Sequence, residues 1–145
     1  MSRQVYLDIT LETPHPISAQ SVFQILIENG WSPIKNEKIT YLPIGDNGMY
    51  DWISKHIQIE DFIKLIGLKE DKKEIIGVNL FWQETDIGIS FVTTKPNYFM
   101  IGFNINRRYL DESVYLTDFN WYAERILVCL QKHYHVSHYC FDFQY

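Results

Sequence analysis

The sequence predicts a single α+β domain over residues 1–145: one mostly antiparallel sheet of about six strands, with helices packed on one of its faces. Three observations predict it. Residues 4–12 and 75–106 alternate apolar and polar at a period of two, as half-buried strands do. Residues 18–30 and 117–133 repeat apolar residues at helical spacing. The chain has 145 residues, the length of one hydrophobic core, which at this size buries roughly 68–70% of the unfolded surface.

In chain order, Val5, Leu7, Ile9 and Leu11 form the buried side of a first strand, and Tyr6, Asp8, Thr10 and Glu12 its wet side. Pro14 and Pro16 end it, because neither can donate to a ladder. Ser18 is placed to cap a helix whose stripe is Val22, Ile25 and Leu26, widened by Phe23 and Ile27. Asn29-Gly30 closes that helix, since glycine accepts the left-handed geometry that follows a helix end. A strand over residues 39–44 completes a first βαβ-like unit. The stretch GDNGMYDW at 45–52 is turn chemistry. Ile59, Phe62, Ile63 and Ile66 then predict a short helix capped at Gly67, and KEDKKE at 69–74 reads as a solvated connector. Three strands joined by ETD and KPN turns form a meander ending at residue 106. Thr117 or Asp118 caps the last helix, whose stripe of Phe119, Tyr122, Ala123, Ile126, Leu127 and Leu130 extends to His133. A final strand over residues 138–143 puts Tyr139, Phe141 and Phe143 on one face and His138, Cys140 and Asp142 on the other. Right-handed crossovers would place both long helices on the same side, which favours a ferredoxin-like elaboration.

Composition narrows the function classes. Apolar residues are 46% and charged residues 21% of the chain, a globular balance that excludes disorder. A formal charge of −5 argues against a nucleic-acid binder and favours a basic partner. Two cysteines point to a reducing compartment rather than a disulfide framework. The start of the chain has no signal-peptide core, and no apolar run approaches the roughly 18 residues a bilayer span needs. The cytoplasm is the expected location, with no membrane partner.

No residue set carries a catalytic signature. His133, His135, His138, Cys140 and Asp142 are the densest group of metal-ligand types, but only His138, Cys140 and Asp142 share a face, at two-residue spacing. No metal site and no cofactor are assigned. Cys140 lies too far from His138 along a strand for an activated thiolate. No glycine-rich phosphate loop is present. The 46–52 loop, with Asp46, Tyr50, Asp51 and Trp52, is a candidate pocket wall. A small hydrolase or transferase built on it would line a deep pocket with Asp51, Trp52 and a histidine. Trp121 and Val128 stand opposite the core stripe of the last helix. Either the 107–116 connector covers Trp121, or Trp121 anchors a partner, as tryptophan does at interface hot spots.

IGVNLFWQETDIGISF at 76–91, NRRYL at 106–110 and TDFNWYAERIL at 117–127, in a small acidic α+β chain, resemble the immunity proteins of bacterial polymorphic toxin systems. That resemblance implies a protein-binding inhibitor that neutralises a cognate toxin, and it assigns no residue a role. The physics of such a role selects surplus aromatics beside acids: Asp46, Tyr50, Asp51, Trp52, Trp82, Glu84, Asp86, Trp121 and Val128. An acidic inhibitor would be steered towards a basic, nucleic-acid-acting toxin. The protein itself would be a monomer or a homodimer.

Overall fold

The computed structural model describes residues 4–144. Strand β1 (Gln4–Glu12) follows the alternation, with Val5, Leu7, Ile9 and Leu11 buried. Helix α1 (Ala19–Glu28) begins where the Ser18 hydroxyl accepts the Ser21 N–H at 3.1 Å. It ends at Asn29, and Gly30 takes φ +110° with the Trp82 ring 2.6 Å from where a Cβ would stand. That close approach and the positive φ both require glycine.

The next segment departs most from expectation. Instead of one strand over 39–44 there are four short ones: β2 (Trp31–Ser32), β3 (Ile34–Lys35), β4 (Lys38–Tyr41) and β5 (Ile53–Lys55). β4 stops at Tyr41 because Pro43 cannot donate, and the Leu42 and Pro43 carbonyls accept from the Lys69 ammonium at 2.9 and 2.8 Å. Helix α2 (Ile59–Asp71) runs a turn past Gly67, the expected cap. Gly67 serves packing instead, because the Gln20 amide lies 2.7 Å from its Cβ position and donates to the Ile63 carbonyl. The charge run is likewise not a solvated connector throughout. Lys69 is 1% exposed, and Glu74 accepts the Gly45 N–H at 2.7 Å.

β6 (Ile76–Trp82), β7 (Gly88–Lys95) and β8 (Tyr98–Ile105) form the expected meander. The 107–116 connector is itself structured: β9 (Tyr109–Asp111) and β10 (Leu116–Thr117) pair as a small hairpin around a 3-10 turn at Glu112–Val114. Helix α3 (Phe119–Gln131) is capped by Asp118, whose carboxylate accepts the Trp121 N–H at 3.3 Å. It ends before His133, which lies exposed in the following turn rather than on the buried stripe. β11 (His135–Gln144) begins three residues earlier than predicted.

Among the described residues the sheet has nine strands, not about six, and every pairing is antiparallel. The continuous order is β11-β1-β8-β7-β6-β4-β3, with β2 on β6 and β5 on β4. The helices cover one face. Phe103 of β8 stacks on Tyr122 of α3 with centroids 4.0 Å apart, and Phe62 of α2 meets Tyr41 and Phe23 at 5.2 and 5.4 Å. These rings join Leu7, Ile9, Val22, Leu26, Ile66, Ile126 and Leu130 in one core, each large side chain contributing roughly 1.5–3 kcal/mol. The other face is open, carrying Tyr6, Asp8, Ser90, Met100, Asn104 and the His138–Asp142 side of β11. No helix among the described residues is long and apolar enough to cross a membrane.

Candidate protein-binding surface

Two of the predicted residues come together at the α3 end of the helical face. Trp82, the last residue of β6, points to the core side and meets Trp31 at 5.3 Å and Trp121 at 6.0 Å, edge to face. Trp31 and Trp121 meet at 6.2 Å. Arg125, one turn after Trp121, lays its guanidinium 4.3 Å from the Trp121 ring and 5.2 Å from Trp82, and donates to the Trp121 carbonyl at 3.1 Å. Arg108 approaches Trp121 from the other side at 5.6 Å. Trp121 is therefore half-buried between two cations and two tryptophans, an arrangement that stabilises all five groups. From the connector, Arg108 lies over it. Val128 is exposed two turns further along α3.

The hairpin beside this stack has a fixed root and an exposed tip. At the root, the Arg108 N–H donates to the Tyr122 hydroxyl at 2.9 Å, the Asp118 N–H to the Arg108 carbonyl, and the Arg108 guanidinium pairs with Asp118 at 3.2 Å. Burial pushes the Tyr122 phenol above its ordinary range, so this hydroxyl stays protonated. At the tip, the Asp111 carboxylate accepts the Ser113 N–H and hydroxyl at 2.9 and 2.6 Å, bonds that hold it below the usual carboxylate range. Tyr115 then takes φ +53° to return the chain. Leu110, Val114, Tyr115 and Leu116 are left between 46% and 68% exposed, alongside exposed Asp111 and Glu112. Four large apolar side chains exposed on one short projection form a candidate contact surface, since scattered single residues are the norm. Sequence reasoning passed over this hairpin. The available signal was LDESVYL itself, apolar and acidic residues mixed with no helical period and no long strand to cover them.

The 46–52 loop runs from the end of α2, where Asp46, Asn47 and Gly48 lie beside Lys72, Lys73 and Glu74, to the open face at Tyr50 and Trp52. Asp46 is buried, and its carboxylate accepts the Tyr50 and Asp51 N–H groups at 2.9 and 2.8 Å. It organises the loop from within rather than facing outward. Tyr50, at φ +56°, and Trp52 overhang the sheet; the Trp52 ring sits 2.9 Å from the Gly77 Cβ position. With Tyr6, Val92, Met100 and Asn104 they bound a trough of about 240 Å³. Neither Asp51 nor a histidine lines it, so the acid–base set required of a hydrolase or transferase is not assembled there. A larger cleft of about 450 Å³, between Ile17, Glu70, Lys73, Lys95 and Phe99, also lacks histidine and cysteine.

The remaining candidates lie apart. Glu84 is exposed at the β6–β7 turn, and Asp86 pairs with Lys35 of β3 at 2.6 Å, which holds its carboxyl below the ordinary range. His138, Cys140 and Asp142 spread along the open face of β11. Among the described residues no three histidine, cysteine or carboxylate side chains converge as metal ligands. No protein-family model, curated protein or solved structure matches the chain.

Proposed function

We propose that the chain is an immunity protein, a protein-binding inhibitor that neutralises a cognate bacterial toxin by occupying it with the 109–117 hairpin and the adjoining tryptophan–arginine stack. The observation that carries this reading is the hairpin tip, with four exposed apolar side chains around Asp111 and Glu112 on a fixed root. Apolar anchors give residence time, and the acids, with a formal charge of −5, speed encounter with a basic, nucleic-acid-acting target. The scaffold reads as an elaborated ferredoxin-like unit of β1, α1, β7, β8, α3 and β11. What supports that topology is the order β11-β1-β8-β7, with residues 31–82 inserted between α1 and β7.

The neighbouring reading frame supplies the test. A toxic C-terminal domain of a large secreted protein encoded beside this gene is expected to arrest growth when expressed, and co-expression of this chain to restore growth. Arrest that persists on co-expression overturns the proposal. With that domain as ligand, Leu110→Ser combined with Val114→Ser is expected to weaken binding by about 2 kcal/mol or more. The unfolding free energy should change by less than about 0.5 kcal/mol, because both side chains are already solvated.

A further inference from the structure

The two edges of the sheet are built differently. At one edge β4 is flanked by β3 and β5, of two and three residues, each carrying a lysine, Lys35 and Lys55. Short pieces and lysines are how natural sheets keep foreign strands away. At the other edge lies β11, ten residues long, paired only with β1 among the described strands. It contains no lysine, arginine or proline. Its ladder to β1 is regular from His138 to Gln144, the single register shift falling before it at Thr10/Leu11. About half the amides and carbonyls of an edge strand point away from its one neighbour, the groups a second strand would meet.

The side chains of β11 complement themselves. When two antiparallel copies are centred on Cys140, residues pair so that their numbers add to 280, and directly opposed residues share a face. On the open face His138 then opposes Asp142 of the second copy, and Asp142 opposes the second His138. An imidazole N–H donates to a carboxylate whether or not the ring is charged. On the helical face Tyr139, 51% exposed, opposes Phe141, which is half-buried against Phe119 at 4.9 Å and Phe103 at 6.0 Å. Centring on Tyr139 or Phe141 instead sets His138 against Cys140 or Gln144, and the His–Asp pairing is lost.

We propose that β11 is the docking edge for β11 of a second copy of this chain, joined antiparallel about a two-fold axis at Cys140. The two nine-stranded sheets become one continuous sheet with all helices on the same side. Such a closed, isologous contact satisfies both β11 edges at once and leaves neither to recruit further strands. The hairpin of each copy takes no part in the pairing, so the dimer does not depend on the toxin-binding reading.

Sedimentation of the full chain over a micromolar-to-millimolar series tests the proposal, with a reversible dimer expected. A monomer throughout overturns it, and would leave the edge to a strand of another protein. Register is tested separately. A short bismaleimide should join Cys140 to Cys140, whose backbones would lie about 5 Å apart, while Cys129 is buried. Cys140→Ser should abolish the cross-link and keep the dimer. His138→Asp sets like charges opposite each other twice and should weaken the dimer about tenfold. His138→Asp with Asp142→His reverses the pair and should restore it. A double variant as weak as the single one overturns the register.

Discussion

Removing the Lys69 side chain is expected to cost about 3 kcal/mol, because Lys69→Ala leaves a cavity and takes the donor from the buried Leu42 carbonyl and the part-buried Pro43 carbonyl. Urea unfolding measures it. Burial holds this ammonium below the usual lysine value of 10.5, against the opposing pull of Glu74 and Asp46. The folded chain therefore releases the proton more readily than the unfolded one. The Lys69 contribution is full above 10.5 and is lost as pH falls through the depressed folded value. The stability advantage of the native chain over Lys69→Met should accordingly grow as pH is raised from neutrality towards 10.5. Trp121 carries a second expectation at this scale. A solvated anchor could be cut back without loss, but this ring packs on Trp31, Trp82 and Arg125. Trp121→Ala should cost about 2–3 kcal/mol in the same assay. The helical wheel sets it opposite the core stripe, whereas the structure packs it against the core beside Trp31 and Trp82. The neighbours that bury it were not legible, because Trp31 and Trp82 are distant in sequence and arrive through the β2–β6 pairing.

Elements whose period is set by one buried face were legible nearly to the residue. β1, α1, the meander and α3 bury one stripe against a single layer, so pattern and structure coincide. Residues 31–55 were not, since strands of two to four residues are too short to show a period and are held by contacts made elsewhere. Gly77 shows how such contacts act. A methyl there would stand 2.8–2.9 Å from Leu42 and Trp52. Gly77→Ala should therefore cost about 1–3 kcal/mol and lift the 43–52 loop. Gly102→Ala, whose nearest neighbour is the Tyr6 ring at 3.4 Å, should stay within about 0.5 kcal/mol. Denaturant midpoints of the two variants, compared, decide whether close approach or glycine flexibility governs these strands. The hairpin belongs with the illegible part, because its root is fixed by Tyr122 and Asp118 rather than by its own pattern.

Across the whole molecule, the class of fold follows from the sequence, while the candidate site was legible only in part. Aromatics and acids are numerous in the sequence, yet the sheet separates Tyr50 and Trp52 from Trp82 and Trp121, and no single patch unites them. The pairing of β1 with β11 has a further consequence, in time rather than in space. β1 holds an inner position between β8 and β11, but its second neighbour is translated after every other described element. Until His135–Gln144 has been made, β1 is itself a bare edge of nine residues whose buried face is Val5, Leu7, Ile9 and Leu11. Closing the sheet must wait on a contact spanning more than 120 positions, from Glu12 to His135 and beyond, the kind of long-range pairing that slows folding. Nascent chains halted before residue 135 are therefore expected to be prone to strand exchange and to aggregation, and full-length chains to escape it once the last strand is laid down.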